Sequence, residues 1–336
     1  TSSVVIMDEP TSSLTEREKE HLFKVIRDLK ANGIGIVYIS HRIEELFDIC
    51  DRVTVLKDGR FVKEVNIQDI NKKQLVSLMV GRELGLIFPD KDSSIGKEML
   101  RVENLSKKGE FENISFTLKS GEILGFGGLV GAGRTEIMNA IFGISTLDSG
   151  NIYINGEKKK INSPKEAIKE GIAYVTEDRR SGMVLLASIM ENMSLPSLLH
   201  FVKHMFINEN ERKVSTNLFM KKLNIKAPSI STLVNELSGG NQQKVIFARW
   251  LMSNADIYIL DEPTRGIDVG AKEEIYKIIE SLAKEGKAVI VISSEMPELI
   301  GISQRILVMY EGKITGEIDA KKATEKMIIE YATGVV

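Results

Sequence analysis

An α/β fold with a parallel β-sheet core, present once in full and once in part, is what this sequence predicts. Three observations predict it. VVIMDEPTSSL at residues 4–14 returns as IYILDEPTRGI at 257–267, an offset of 253 residues. Each copy reads as strand, amphipathic helix, strand, and a glycine-rich loop lies between a strand and a helix ahead of the second copy. The same offset carries Gly33 onto Gly286, IVYIS (36–40) onto VIVIS (289–293), Arg52 onto Arg305, Gly59 onto Gly312 and Gly81 onto Gly334, with no gap. A match this long implies two copies of one fold.

Val4-Val5-Ile6-Met7 is wholly apolar, as a buried parallel strand is, and it delivers Asp8 and Glu9 at its carboxyl end. Leu22, Val25, Ile26 and Leu29 follow at helical spacing, with Gly33 suited to the C′ position; Ile275, Ile278, Ile279, Leu282 and Gly286 repeat this. Strand, helix, strand at these lengths is a βαβ unit. Residues 1–84 are thus the partial copy, 85–98 (GLIFPDKDSSIGKE) have the composition of a linker, and 99–336 hold the full copy. The stretch from about Leu100 to Asp256 has no counterpart ahead of Asp8. The first copy is therefore expected to lack roughly 150 residues at its front. The tail KKATEKMIIEYATGVV parallels KKQLVSLMVGRE and is expected to form a packed helix.

Within that stretch, Ile123–Phe126 read as a strand and 135–143 as a helix, and Gly128–Thr135 fit G-x-x-x-x-G-x-T, with Arg134 where Lys is expected. The candidate phosphate-binding residues are Gly128, Gly131, Ala132, Gly133, Arg134, Thr135 and Glu136. Glycines let backbone N–H groups converge on phosphate oxygens, the helix N-terminus adds positive potential, and the Thr135 hydroxyl suits Mg2+. The bland alternative is a glycine-rich turn packing a helix on a sheet. Ser238, Gly239 and Gly240 open a helix with apolar Val245, Ala248 and Leu251, a second anion-binding N-terminus. A lone SGG is a common loop, but one about 20 residues ahead of a strand ending in Asp-Glu is far more specific.

The totals narrow the function classes. At 336 residues, 43% hydrophobic and 27% charged, the composition is that of a globular protein long enough for two domains. A net charge of -2 gives no general attraction to nucleic acid, and one cysteine, Cys50, excludes an internal disulfide framework. No apolar run reaches the ~18 residues of a membrane span and no signal-peptide pattern occurs, so a membrane role is expected to come through a partner.

Phosphate loop, LSGG, ILDEP and switch strand, in this order, resemble ATP-binding cassette ATPases, with residues 100–336 as one full cassette and 1–84 as the rear of another. LSGGNQQK, EDRRSGMV at 177–184, MVGREL and the paired cassettes look like the ATPase subunits of bacterial monosaccharide importers of the ribose and galactose type. The resemblance implies a phosphate-loop NTPase fold with an antiparallel β subdomain and an α-helical subdomain at about 184–250. It implies ATP and Mg2+ as ligands, an integral membrane sugar permease and, indirectly, an external sugar-binding protein as partners, no nucleic acid, and a place on the cytoplasmic membrane face. By motif, Asp8 and Asp261 hold Mg2+ through water, joined at the metal by Thr135 and Glu177; Glu9 and Glu262 orient the attacking water; His41 is the switch histidine. For each acid pair the plain alternative is a polar strand end capping the next helix. His21, His200 and His204 read as structural or solvated.

The second cassette departs from the pattern. Ser294 stands where His41 stands in the first copy, Glu177 replaces a usual Gln, and Phe111 is the only aromatic in LSKKGEF, a stretch with none obviously suited to stacking on adenine. Arg134 keeps the charge of Lys but not its compact geometry, and Glu177 adds negative charge that weakens phosphate binding unless Mg2+ or Arg179 compensates; this half is expected to bind nucleotide weakly or to hold it without turnover. Paired cassettes hold each ATP between one phosphate loop and the other's LSGG, so the chain alone is expected to hydrolyse little. The apolar positions Val214, Leu218 and Leu223 mark a helical lobe, which in the family meets the permease together with the loop from Glu177 to Arg180. Met183, Met190, Met193, Met205 and Phe206 are read as contact or simple core. Competing readings are a nucleotide-binding regulatory module without turnover and a soluble cassette protein of translation or DNA repair.

Overall fold

The computed structural model describes residues 3–11, 16–40, 43–57, 60–72, 74–75, 78, 88, 93–178, 182–267 and 269–335. Their contacts separate two compact units, the first drawn from residues 1–87 with 268–270 and the second from Phe88–Ile267 with Ala271–Val336. His41, Arg179, Arg180 and residues 85–87 and 89–92 of the 85–98 linker lie outside the described residues.

In the first unit, β1 (Val4–Asp8) pairs in parallel with β2 (Gly35–Ile39) across the helix Glu16–Ala31, and β3 (Arg52–Lys57) forms a hairpin with β4 (Arg60–Asn66). The βαβ unit forms as read, but its strands are not buried on both faces. Val4, Ile6, Val37 and Ile39 are 46–69% exposed, because among the described residues β1 and β2 make a sheet of only two strands. Val25 is also exposed, and the helix buries Phe23 alongside the expected Ile26.

The second unit has three layers. Its six-stranded sheet runs in the order β10 (Ile172–Val175), β13 (Ile257–Asp261), β14 (Ala288–Ile292), β7 (Ile123–Gly128), β15 (Arg305–Tyr310), β16 (Lys313–Asp319), parallel except for the edge strand β16. Strands β13 and β14 are buried throughout, as unbroken apolar runs in a parallel sheet must be. An antiparallel sheet of β6 (Phe111–Lys119), β5 (Glu98–Lys107), β8 (Ser149–Ile154) and β9 (Glu157–Lys159) forms the second layer. Helices Ile189–Ser194, Glu209–Lys222 and Gly239–Met252 form the third, with a small hairpin of β11 (Val202–Lys203) and β12 (Phe206–Ile207).

In that helical layer the sequence pattern misplaces two residues. Val214 and Leu218 are 69% and 63% exposed; the helix faces inward through Arg212 and Thr216, and Leu223 alone of the three is core. Met183 and Met193 are core, whereas Met205 and Phe206 sit exposed on the hairpin. The tail helix spans Glu325–Ala332, capped by Thr324, and buries Ile328 and Ala332. Among the described residues no helix is long and apolar enough to cross a membrane.

The two units share internal geometry. Glu9 and Glu262 both have φ of 47°, and each donates its N–H to the adjacent strand, to the carbonyls of Ile39 and Ile292, at 2.9 Å. The pair Arg52–Glu64 (3.1 Å) has a counterpart in Arg305–Glu317 (2.9 Å), and both hairpins shift register at the same point, Val55/Leu56 and Val308/Met309.

Candidate functional site

The site grows from the carboxyl ends of β7 and β13, which the parallel sheet brings to one edge with only β14 between them. After β7 the chain turns through three glycines with positive φ, Gly128 (145°), Gly131 (81°) and Gly133 (95°), into the helix Arg134–Ile141. A Cβ on Gly128 would lie 2.6 Å from the Met309 carbonyl oxygen, so only glycine fits there. Ala132 is buried and Glu136 half-buried on the first turn.

Thr135 and Asp261 meet although 126 residues apart: the Thr135 hydroxyl donates to Asp261 Oδ2 at 2.7 Å. The buried Tyr174 hydroxyl donates to the same oxygen at 3.3 Å. The other oxygen, Asp261 Oδ1, is buried without a partner. Burial pushes the Asp261 carboxyl up to about 6 against these hydrogen bonds.

Glu262 lies beside Asp261 in left-handed conformation, only 9% of its side chain exposed. Burial raises it to about 7, opposed by the Arg134 guanidinium and by a hydrogen bond from the Ser294 hydroxyl at 3.1 Å. Arg134 is itself buried. Its Nη1 donates to the Ser293 carbonyl at 3.0 Å and its Nη2 stands 4.0 Å from Glu262 Oε1.

Other predicted residues fall outside this cluster. Glu177 is largely exposed and pairs with Arg265 rather than with Thr135 or Asp261. Ser238 occupies the N-cap position of the helix Gly239–Met252 without a side-chain capping bond, and its hydroxyl accepts from the Asn241 side-chain amide at 3.0 Å. Phe111 is 4% exposed, so its ring offers no stacking face. Asp8 is exposed and Glu9 half-buried in the first unit. Tyr174, Ser293 and Glu298 were not anticipated. Tyr174 had one signal, its place in a four-residue apolar strand just ahead of Glu177.

The donors suit Mg2+. An orphaned buried carboxylate oxygen beside a threonine hydroxyl is a hard, anionic oxygen set. Among the described residues no group of three His, Cys, Asp or Glu could hold a metal.

The ABC transporter family profile matches residues 111–265. The ribose import ATP-binding protein RbsA of Bacillus cereus is 50% identical over 334 residues, 99% of this chain and 67% of that protein. The chain belongs to the ABC transporter ATP-binding family. The cassette's relatives include RbsA of Bacillus subtilis, 49% identical over 99% of this chain and 68% of that protein. Among solved structures, a dimeric ATP-binding cassette described as a post-hydrolysis state bound to ADP and Pi superposes with TM-score 0.57 at 26% identity, covering 66% of this chain and 99% of that one.

Proposed function

We propose that this chain is the energy-coupling subunit of an importer for ribose or a closely related monosaccharide, and that its second unit binds Mg-ATP. The observation that carries the reading is the meeting of Thr135, Asp261 and Glu262 at the mouth of a glycine-rich loop in an ABC cassette. The sugar is suggested by relatives named for ribose import at about half identity. Partners in this reading are a membrane permease and an external sugar-binding protein, with the cassettes on the cytoplasmic membrane face.

Backbone N–H groups of residues 131–135 and the helix N-terminus receive the phosphates. Thr135 and Asp261 would hold Mg2+, which when bound would supply positive charge to the phosphate oxygens. Glu262, raised to about 7 by burial, accepts a proton from water near neutral pH more readily than an ordinary glutamate does. Arg134 contributes charge from its anchored position. With Ser294 in place of a histidine and Phe111 buried, this site binds weakly and turns over slowly.

Residues 1–84 are proposed as the rear of a second cassette, 85–98 as the linker and 99–336 as the complete cassette. This is supported by the shared offset and by the matched geometry at Glu9 and Glu262. Asp8, Glu9 and His41 then belong to that partial cassette's own site.

The test is calorimetric titration of the chain with Mg-ATP, with phosphate release measured on the same sample. Weak binding that Thr135→Ala reduces about tenfold supports the reading. Binding unaffected by Thr135→Ala would refute it. Sustained turnover abolished by Glu262→Gln would show a working site and overturn the slow-turnover part.

A further inference from the structure

The phosphate-loop arginine does not stand alone. It is gripped by the Ser293 carbonyl, and Ser293 is in turn held by its hydroxyl, which donates to Glu298 Oε2. Glu298 is 2% exposed, and its other oxygen accepts from Thr264, three residues past Asp261, at 2.7 Å. One buried carboxylate therefore ties the turn after the Asp-Glu pair to the end of β14. Two contacts leave that tied segment for the site, the Ser293 carbonyl to Arg134 and the Ser294 hydroxyl to Glu262. The Glu295 N–H closes the segment on the Ser293 hydroxyl at 3.0 Å.

A buried carboxylate is costly unless its bonds are made, so its presence here calls for a reason beyond packing. The first unit contains the same device. Glu45, also 2% exposed, accepts from Thr11 at 2.8 and 2.9 Å, from Ser40 at 3.1 Å and from Tyr38 at 2.8 Å. Thr11, Ser40 and Glu45 stand at the offset of 253 from Thr264, Ser293 and Glu298. The brace recurs while surrounding residues differ: Tyr38 corresponds to Val291, and Ser294 to His41.

We propose that Glu298 is a positioning residue for the nucleotide site. It fixes the Ser293 carbonyl, which anchors the long Arg134 side chain so that its remaining donors face the loop without further ordering. Preorganisation of this kind raises affinity by reducing the side-chain entropy lost on binding. The inference rests on the reading of this loop as an Mg-ATP site, and it assigns no proton transfer to Glu298.

The experiment is a double-mutant cycle on the full chain with Mg-ATP as probe: wild type, Glu298→Gln, Arg134→Ala and the double variant, titrated by calorimetry and melted in parallel. Glu298→Gln keeps the shape of the side chain, and about three- to tenfold weaker binding is expected. In the Arg134→Ala background the same change should have no further effect on affinity, because the brace acts through the arginine. Equal weakening in both backgrounds overturns the proposal and leaves a packing role. If wild type binds no Mg-ATP, the functional reading fails, and hydrogen exchange of the nucleotide-free chain decides the brace. Faster exchange in 134–137 as well as 293–296 for Glu298→Gln, with the effect on 134–137 absent when Arg134 is Ala, supports it. Unchanged exchange at 134–137 overturns it.

Discussion

Replacing Glu262 by Gln should stabilise this protein above neutral pH and leave it nearly unchanged at pH 5. Glu262 has an ordinary value of 4.5 and is pushed up to about 7 by burial. In the folded chain it keeps its proton until near pH 7, whereas in the unfolded chain it loses it near 4.5. The stability contributed by the raised value is therefore complete below pH 4.5 and lost as pH rises through 7. Between those values the full cost of ionising the folded form reaches at most about 3 kcal/mol. Water entry and movement of Arg134 reduce this, so about 1–2 kcal/mol is expected at pH 8. In a domain of this size that is about 3–6 °C in melting temperature. Gln can still accept the Ser294 hydroxyl, and Arg134 keeps the Ser293 carbonyl. The assay is thermal denaturation of wild type and Glu262→Gln at pH 5 and pH 8. Groups that titrate alike in both proteins cancel in the difference. A variant less stable at pH 8, or a difference equal at both pH values, would refute the claim that burial dominates this carboxyl.

Two further substitutions test the frame around the site. Gly128→Ala places a Cβ 2.6 Å from the Met309 oxygen at a φ of 145°; it should cost about 2 kcal/mol by chemical denaturation and eliminate the Mg-ATP heat. Arg249, 7% exposed and held among the described residues by neutral oxygens, donates to the Asn192 carbonyl and side chain at 2.8 and 2.6 Å and to the Gly182 carbonyl. Arg249→Met strands those acceptors and should cost about 2 kcal/mol in urea, with Mg-ATP affinity in the remaining folded protein within twofold of wild type.

Strand ends and loop chemistry were legible because they are written locally. Three spaced glycines, a threonine and an Asp-Glu at the end of an apolar run each carry their own signal, and the parallel sheet brings Thr135 to Asp261. What Arg134 touches was not legible, since its partner is a main-chain carbonyl and any residue at 293 supplies one. Val214 and Leu218 were misplaced for a related reason. The helix Glu209–Lys222 buries an arginine whose guanidinium reaches the Ser194 hydroxyl at 2.8 Å and Glu209 at 2.7 Å, so polarity did not mark its outer face. The apolar runs of β1 and β2 correctly marked strands, but such a run does not say how many neighbours a strand has.

The arrangement also explains why an arginine is tolerated in the loop. A lysine in this position would leave Glu262 and the buried edge of Asp261 facing a compact, strongly hydrated charge. The planar guanidinium spans instead from the Ser293 carbonyl to within 4.0 Å of Glu262, offsetting part of the carboxylate's burial while fixed at one end. The same reach limits it, because donors committed to Ser293 are withheld from phosphate. Asp261 Oδ1 remains without a partner, so the largest uncompensated cost in the site lies where a divalent cation is expected. On the proposed reading, a site built this way would be more stable loaded than free, and the gain from loading would come through Asp261 and Thr135 more than through the arginine.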